Sequence, residues 1–145
     1  MRTYEQTAQD EMDLCLLDRL RTVDWSAPQC VLGLACGTGR IGAWLRGRSS
    51  AAIDGVDIAP EKLEVARRKG IYRSLSVADG SHTGLPAGSY DLCLQSLADE
   101  HLPELRPLYQ EVARATRRAA PRNSAHDNAE RHLPEASSLR LRREQ

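Results

Sequence analysis

From Arg117 to Gln145 the chain contains no Val, Ile, Phe, Tyr or Trp. These are the residues that suit a pleated sheet, so no strand is predicted there. The stretch Ala119-Ala120-Pro121-Arg122-Asn123-Ser124-Ala125-His126-Asp127-Asn128 is built from small, polar and turn-forming residues. A segment of that kind buries too little to order itself, and a solvated tail is expected. Lysine is scarce as well, occurring only at positions 62 and 69, so arginine carries nearly all the positive charge. That usage suggests a GC-rich coding sequence, in which a shifted reading frame would be dominated by Arg, Ala, Pro and Ser. No apolar run approaches bilayer-spanning length, and Met1-Arg2-Thr3-Tyr4-Glu5-Gln6 has no apolar signal core. Membrane insertion and export are therefore not expected. Cys15, Cys30, Cys36 and Cys93 lack any paired metal or redox spacing, and His82, His101, His126 and His132 are too scattered for a ligand set. A reduced, cytoplasmic protein without a metal site follows. No internal repeat is visible. The formal net charge is zero: from Arg117 onward the balance is basic, and the preceding part is correspondingly acidic. With no basic stripe and an acidic folded part, a nucleic-acid partner is not expected.

What the chain does have is concentrated in Val31-Leu32-Gly33-Leu34-Ala35-Cys36-Gly37-Thr38-Gly39-Arg40, an apolar run that breaks into a small-residue loop. Ile41, Trp44 and Leu45 then recur at helical spacing, so the loop opens into a helix. Gly37 and Gly39 allow torsions and close approaches that a side chain would block, and such a turn offers backbone N–H groups to a ligand. Ile53-Asp54-Gly55-Val56-Asp57 reads as a second strand ending in an acid about twenty residues beyond the glycines, where a ribose-binding carboxylate is expected. Pro60 and Glu61 suit a first helical turn, Leu63 and Ala66 supply its inner face, and Gly70 stops it. A third strand, with Ile71, Leu75 and Val77 on one face, ends at Ala78-Asp79. A fourth, Tyr90-Asp91-Leu92-Cys93-Leu94, ends at Gln95-Ser96. Alternating strands and helices predict an α/β fold with an open, mostly parallel sheet flanked by helices, whose ligand sits at the carboxyl ends of the strands among Gly37, Asp57, Asp79 and Gln95.

At these residues the chain resembles the class I S-adenosylmethionine-dependent methyltransferases, and within them the small enzymes that act on metabolites. The resemblance covers roughly Val31 to Arg118. Leu34 to Arg40 is similar to the family's glycine loop, Val56-Asp57-Ile58-Ala59-Pro60 to its ribose segment, Ala78-Asp79 to its adenine segment and Tyr90-Asp91-Leu92 to its fourth strand. The resemblance implies S-adenosyl-L-methionine as cofactor and a small-molecule methyl acceptor. It places Ala35, Gly37 and Gly39 beside the methionine and ribose portion and Asp57 on the ribose hydroxyls. It counts Ile58, in the ribose segment, among the cofactor-binding residues, and puts Ala78 and Asp79 at the adenine, with Asp79 accepting from the amino group, and Gln95 near the methionine end. The implied chemistry is in-line displacement at the sulfonium methyl, in which alignment and removal of water supply most of the acceleration. His101, in the loop after the fourth strand, is the one base candidate; the same loop also reads as a helix start with His101 on the surface.

Two departures from the family pattern carry expectations of their own. Gly33 stands where the family usually has an acid, and loss of a hydrogen bond to a charged group there predicts cofactor binding weaker by about ten- to a hundredfold. After the helix containing Leu105, Leu108, Tyr109 and Val112 the family continues into further strands, whereas none can be read here. A truncated or frameshifted chain whose homology ends near Arg118 is the expectation, with a hydrophobic sheet edge left to self-association or low solubility. The organisation expected is an amino-terminal helical segment over 1–28, a partial cofactor-binding domain over 29–118 and a disordered tail over 119–145. Met12, Leu16 and Leu20, with Leu17, form the inner face of the amino-terminal helix, ended by the Trp25-Ser26-Ala27-Pro28 turn, and Tyr4 is placed to reach the methionine end or substrate. Alternative readings stay open. Gly37-Thr38-Gly39-Arg40-Ile41-Gly42 also fits the dinucleotide fingerprint of an NAD-dependent oxidoreductase. A non-catalytic remnant of the fold satisfies the same motifs, and Asp57 and Asp79 also suit a strand-end cap and a plain turn.

Overall fold

The computed structural model describes residues 8–95 and 103–118. Its elements are α1 (Ala8–Arg19), β1 (Cys30–Leu34), α2 (Arg40–Arg46), β2 (Ala52–Asp57), α3 (Pro60–Arg68), β3 (Ser74–Val77), β4 (Leu92–Leu94) and α4 (Arg106–Ala115). The strands form one four-stranded sheet in the order β3-β2-β1-β4, all parallel. The chain builds outward from β1 to β3, then returns across β1 to lay down β4. Strand order therefore reverses beside β1, and a ligand crevice opens at the carboxyl tips of the strands on either side of such a reversal.

Parallel strands are buried on both faces, so β1 and β2 read as continuous apolar runs. Val31 and Ile53 pack with Trp44, Leu45 and Ala51 on one face. Leu32, Leu34 and Val56 pack with Tyr90, Leu108 and Ala115 on the other. In α4 this leaves Leu108 buried while Tyr109 is 58% exposed; Leu105, 37% exposed, precedes the helix. The helix α3 begins at Pro60 with Glu61 in its first turn, and Gly70 follows its end with φ +66°.

The amino-terminal helix is rotated from the face its apolar residues predict. Met12, Leu16 and Leu20 are 60%, 58% and 46% exposed, whereas Leu14 and Leu17 pack against the core. The neighbouring stripe wins because it brings two acids to partners on α2. Asp13 holds Arg40 through paired bonds of 2.6 Å, and Asp18 accepts from Trp44 Nε1 at 3.1 Å and from Arg48 at 2.6 Å. Arg48 also lies over the Trp44 ring, which Trp25 meets edge-on at 5.0 Å. The helix stops at Arg19, ahead of the Trp25–Pro28 turn.

The third and fourth strands are shorter than their patterns predict. β3 starts at Ser74, leaving Ile71 in the irregular segment ahead of it, and Val77 is 60% exposed rather than on an inner face. β4 starts at Leu92; just before it the Asp91 N–H donates to the Cys30 carbonyl, and its carboxylate accepts from the N–H groups of Gln29 and Cys30. Tyr90 forms a parallel bridge to Thr116, just after α4, on the side of β4 away from β1. Among the described residues β4 itself pairs with β1 alone. Among the same residues no helix is long and apolar enough to cross a membrane. The tail 119–145 lies outside the described residues.

The connection from β3 to β4 is latched to α4. Buried Glu111 accepts from the N–H and hydroxyl of Thr83, while Arg114 pairs with Glu111 at 2.6 Å and donates to the Leu85 carbonyl at 2.7 Å. Arg114, and then Thr83, lower the Glu111 pKa from 4.5 to about 2 against the opposing effect of burial. Because the folded pKa lies below the unfolded one, this carboxylate stabilises fully above 4.5 and loses its contribution as pH falls through about 2. Glu111→Gln is expected to lower stability near neutral pH by about 1 to 3 kcal/mol. In urea melts at stepped pH the gap to the parent chain should close between 4.5 and 2, and a gap independent of pH would refute the latch.

Candidate active site

At the carboxyl end of β1 the backbone turns through a run of left-handed conformations, with φ +49° at Ala35, +55° at Gly37 and +85° at Gly39. Ala35 adopts a torsion that an L side chain resists, at a cost of about 1 to 2 kcal/mol. The loop is held to β2 at two points. Cys36 N–H donates to the Val56 carbonyl at 3.0 Å, and Gly37 N–H donates to Asp57 Oδ2 at 2.7 Å. Gly39 N–H closes the turn onto the Cys36 carbonyl at 2.9 Å. The amides of residues 36, 37 and 39 are thus engaged within the protein, which differs from the free donors expected of a glycine turn.

Asp57 is 7% exposed. Its second oxygen, Oδ1, accepts from Ala59 N–H at 2.9 Å. Each carboxylate oxygen has two lone-pair sites, so one internal bond to each leaves capacity for a further donor. The register pairs Asp57 with Val77, and Ala78 N–H donates to the Asp57 carbonyl at 3.1 Å, which sets Ala78 and Asp79 beside the β2 tip. Ile58 is 70% and Val77 60% exposed, so two aliphatic side chains stand in solvent at neighbouring strand tips. Asp79 is exposed and caps a turn, its Oδ1 accepting from Ser81 N–H at 2.8 Å and Ser81 hydroxyl at 2.7 Å. Those bonds, the N–H first, hold its pKa below the usual carboxylate range. Gln95 follows Leu94, which pairs with Gly33, and so lies at the tip next to the glycine loop. The strands therefore gather Ala35, Gly37, Gly39, Asp57, Ile58, Ala78, Asp79 and Gln95 at one end of the sheet. Ser96, His101 and Tyr4 lie outside the described residues. Among the described residues no group of three His, Cys, Asp or Glu is placed to hold a metal ion.

The position of the missing acid is filled. A Cβ at Gly33 would meet Cys36 Cβ at 3.3 Å, with Tyr72 Cε1 at 3.9 Å. Restoring an acid there therefore requires Cys36 to give way, so Gly33→Asp tests packing together with affinity. Tyr72 escaped the sequence reading. The signal for it was the number of glycines around the loop, whose missing side chains some other residue had to replace.

A parallel sheet reversing at β1, with a glycine turn at one tip and a buried carboxylate at the next, defines an α/β protein of the Rossmann-like kind. A family model described as a methyltransferase domain matches residues 32–120. The chain belongs to the class I S-adenosylmethionine-dependent methyltransferases of the small-molecule type, a family that uses S-adenosylmethionine. It is 31% identical over 116 residues to Methyltransferase GfsG of Streptomyces halstedii, covering 76% of this chain and 41% of the relative. It is 40% identical over 81 residues to a demethylmenaquinone methyltransferase of Thermus thermophilus, covering 50% of this chain and 37% of the relative. The crystal structure of an S-adenosylmethionine dependent methyltransferase from Mesorhizobium loti shares the fold, with a TM-score of 0.60 at 22% identity, over 78% of this chain and 50% of that one. The chain spans less than half the length of the curated relatives it matches.

Asp57→Asn replaces one acceptor oxygen by an N–H donor facing either Gly37 or Ala59. With one amide left unmatched, stability without any ligand is expected to fall by about 1 to 3 kcal/mol. Chemical denaturation of the two proteins measures this, and equal midpoints would remove Asp57 from the loop's support.

Proposed function

We propose that this chain binds S-adenosyl-L-methionine at the tips of β1, β2 and β3 and transfers its methyl group to a small-molecule acceptor. The observation that carries the reading is Gly37. Its φ is +55°, its N–H is fixed by Asp57, and a Cβ built on it would meet nothing within 4 Å. A glycine required by torsion and facing open space leaves room for a ligand to come within contact of the backbone.

The rest of the site fits the same group. Asp57 would accept ribose hydroxyls through its remaining lone pairs, as the family pattern implies. Ile58 and Val77, exposed at adjacent tips, would cover the faces of an adenine that Ala78 and Asp79 meet at its edge. Ala35 and Gly39 would border the methionine portion, with Gln95 at its far end. The bound cofactor supplies an activated methyl on a sulfonium. The protein's own part is to align that methyl with the acceptor and to exclude water, which accounts for most of the acceleration in a displacement of this kind. In this reading residues 29–118 form the binding unit, and the amino-terminal segment lies against its helical face.

The loop's engaged amides favour this cofactor over NAD. A pyrophosphate is bound by free N–H donors at a glycine turn, whereas the N–H groups of Cys36, Gly37 and Gly39 are taken by Val56, Asp57 and Cys36. S-adenosylmethionine carries no phosphate and asks only for close approach there.

Gly37→Ala tests the proposal because the new methyl group enters open space. A melting-temperature loss corresponding to about 1 to 2 kcal/mol is expected from the left-handed torsion. Isothermal titration should show S-adenosylhomocysteine binding to the parent chain, binding reduced at least about tenfold in the variant, and no heat with NAD. Transfer of a radiolabelled methyl group to a panel of small acceptors then tests turnover. Equal affinities for parent and variant, or preference for NAD, would overturn the reading.

A further inference from the structure

Three side chains on α4, spaced three residues apart along the helix, meet the β3–β4 connection in matching order. Buried Leu108 lies beneath Gly80, where an added Cβ would come within 3.1 Å of Leu108 Cδ1 and 3.6 Å of Leu34 Cγ. Buried Glu111 accepts from the Thr83 N–H at 3.0 Å and from the Thr83 hydroxyl, which itself accepts from Leu85 N–H at 3.2 Å. Arg114 donates to the Leu85 carbonyl at 2.7 Å and to both carboxylate oxygens of Glu111. The connection is thus fastened to one helix at Gly80, Thr83 and Leu85.

The fastened stretch carries the Asp79 turn. His82 N–H donates to the Asp79 carbonyl at 2.9 Å, and the Ser81 N–H and hydroxyl donate to Asp79 Oδ1, so residues 79–82 form one closed unit. Those bonds shape the turn without aiming it. Its direction is set where it joins the rest of the protein: at Ala78, whose N–H donates to the Asp57 carbonyl, at Gly80, seated on Leu34 and Leu108, and at Thr83, which follows it. Glu111 takes both bonds at Thr83, one from the backbone and one from the side chain, while Arg114 compensates the buried charge.

We propose that Glu111 is a positioning residue for the nucleoside end of the cofactor: gripping Thr83 while Leu108 supports Gly80, it fixes the direction in which the exposed Asp79 turn meets the adenine. The proposal deepens the cofactor reading above and rests on it for its functional consequence. Glu111 touches no reacting atom in this role. Its effect reaches the ligand through Thr83 and the turn alone.

The decisive variant is Thr83→Val, which keeps the shape of the side chain and removes the hydroxyl that Glu111 holds. Backbone 15N relaxation on the ligand-free chain is expected to show lower order at Gly80, Ser81 and His82 while Val31 to Leu34 in β1 stay rigid. Isothermal titration, at a temperature where the variants are fully folded, should show affinity for adenosine and for S-adenosylhomocysteine falling by the same factor, about three- to tenfold. Equal factors are expected because the disturbed contact lies at the nucleoside that both ligands share. Glu111→Gln, whose amide turns a donor toward Thr83 or Arg114, should reproduce both effects, Thr83→Ser should restore the parent's values, and the double variant Thr83→Val with Glu111→Gln should lose less than the sum of the two. Unchanged order at Gly80 to His82 in both single variants would overturn the role of Glu111. A looser turn with adenosine affinity unchanged, or a loss of order spread through β1, would mark a purely structural contact and overturn it as well. If the parent chain binds neither ligand, the cofactor reading itself fails and the role in binding falls with it, while the order at Gly80 to His82 still decides whether α4 holds the turn.

Discussion

The Asp57 carboxylate, at the end of β2, accepts from Gly37 N–H at 2.7 Å and from Ala59 N–H at 2.9 Å, and so joins the glycine loop, the centre of the sheet and the entry to α3. Each neighbouring feature takes its place from that junction. The loop cannot lift from the sheet while Gly37 is held, and α3 cannot start elsewhere while Ala59 is held. The backbone continues the pattern, since the Asp57 carbonyl accepts from Ala78 and thereby fixes the adjacent tip. A charge this deeply buried is tolerable because both oxygens have donors, and the cost of removing either donor keeps the geometry unique.

The parts of this arrangement that depend on local pattern were legible in the sequence. The glycine loop, the acid about twenty residues later and the apolar runs of β1 and β2 have short-range signatures, and the sheet puts them together as their order implies. What the pattern missed depends on choices between nearly equal alternatives. In α1 two adjacent stripes are both half apolar, and the preference for Leu14 and Leu17 over Met12 and Leu16 is decided by Asp13 and Asp18 finding Arg40 and Trp44 on α2 and Arg48 just beyond it. No periodicity reports such a pairing. Tyr72 was invisible for a similar reason: a lone tyrosine after a helix stop says nothing until the slot it fills is known, and that slot exists only once Gly33 and Gly55 are paired. Gly33 looked like a lost interaction because only the missing acid could be read, not the close approach of Cys36 to that position.

A second anchoring group stabilises the opposite face. Asp54, 5% exposed, takes paired bonds from Arg73 and one at 2.8 Å from the Tyr90 hydroxyl, so it links β2, the approach to β3 and the approach to β4. Burial works against its charge, but the bonds from Arg73 and Tyr90 outweigh it and leave its pKa below the ordinary value. With Glu111 on α4 gripping Thr83, the long β3–β4 connection is pinned at both flanks. The carboxyl end of the sheet is therefore assembled from loops whose bases are tied down, the condition under which a turn such as that at Asp79 can hold a defined direction.

The pairing of β4 with β1 has a consequence for how the chain reaches this state. Asp91 binds the amides of Gln29 and Cys30 across sequence separations of 62 and 61 residues, whereas β1, β2 and β3 follow one another with only single helices between them. Contacts that span so much chain carry a larger loop-closure cost and form late. On a ribosome, the first three strands would emerge and collapse while one side of β1 was still bare. That strand must wait for some sixty further residues, and until they arrive its unsatisfied backbone is the point most open to a chaperone or to a stray neighbour.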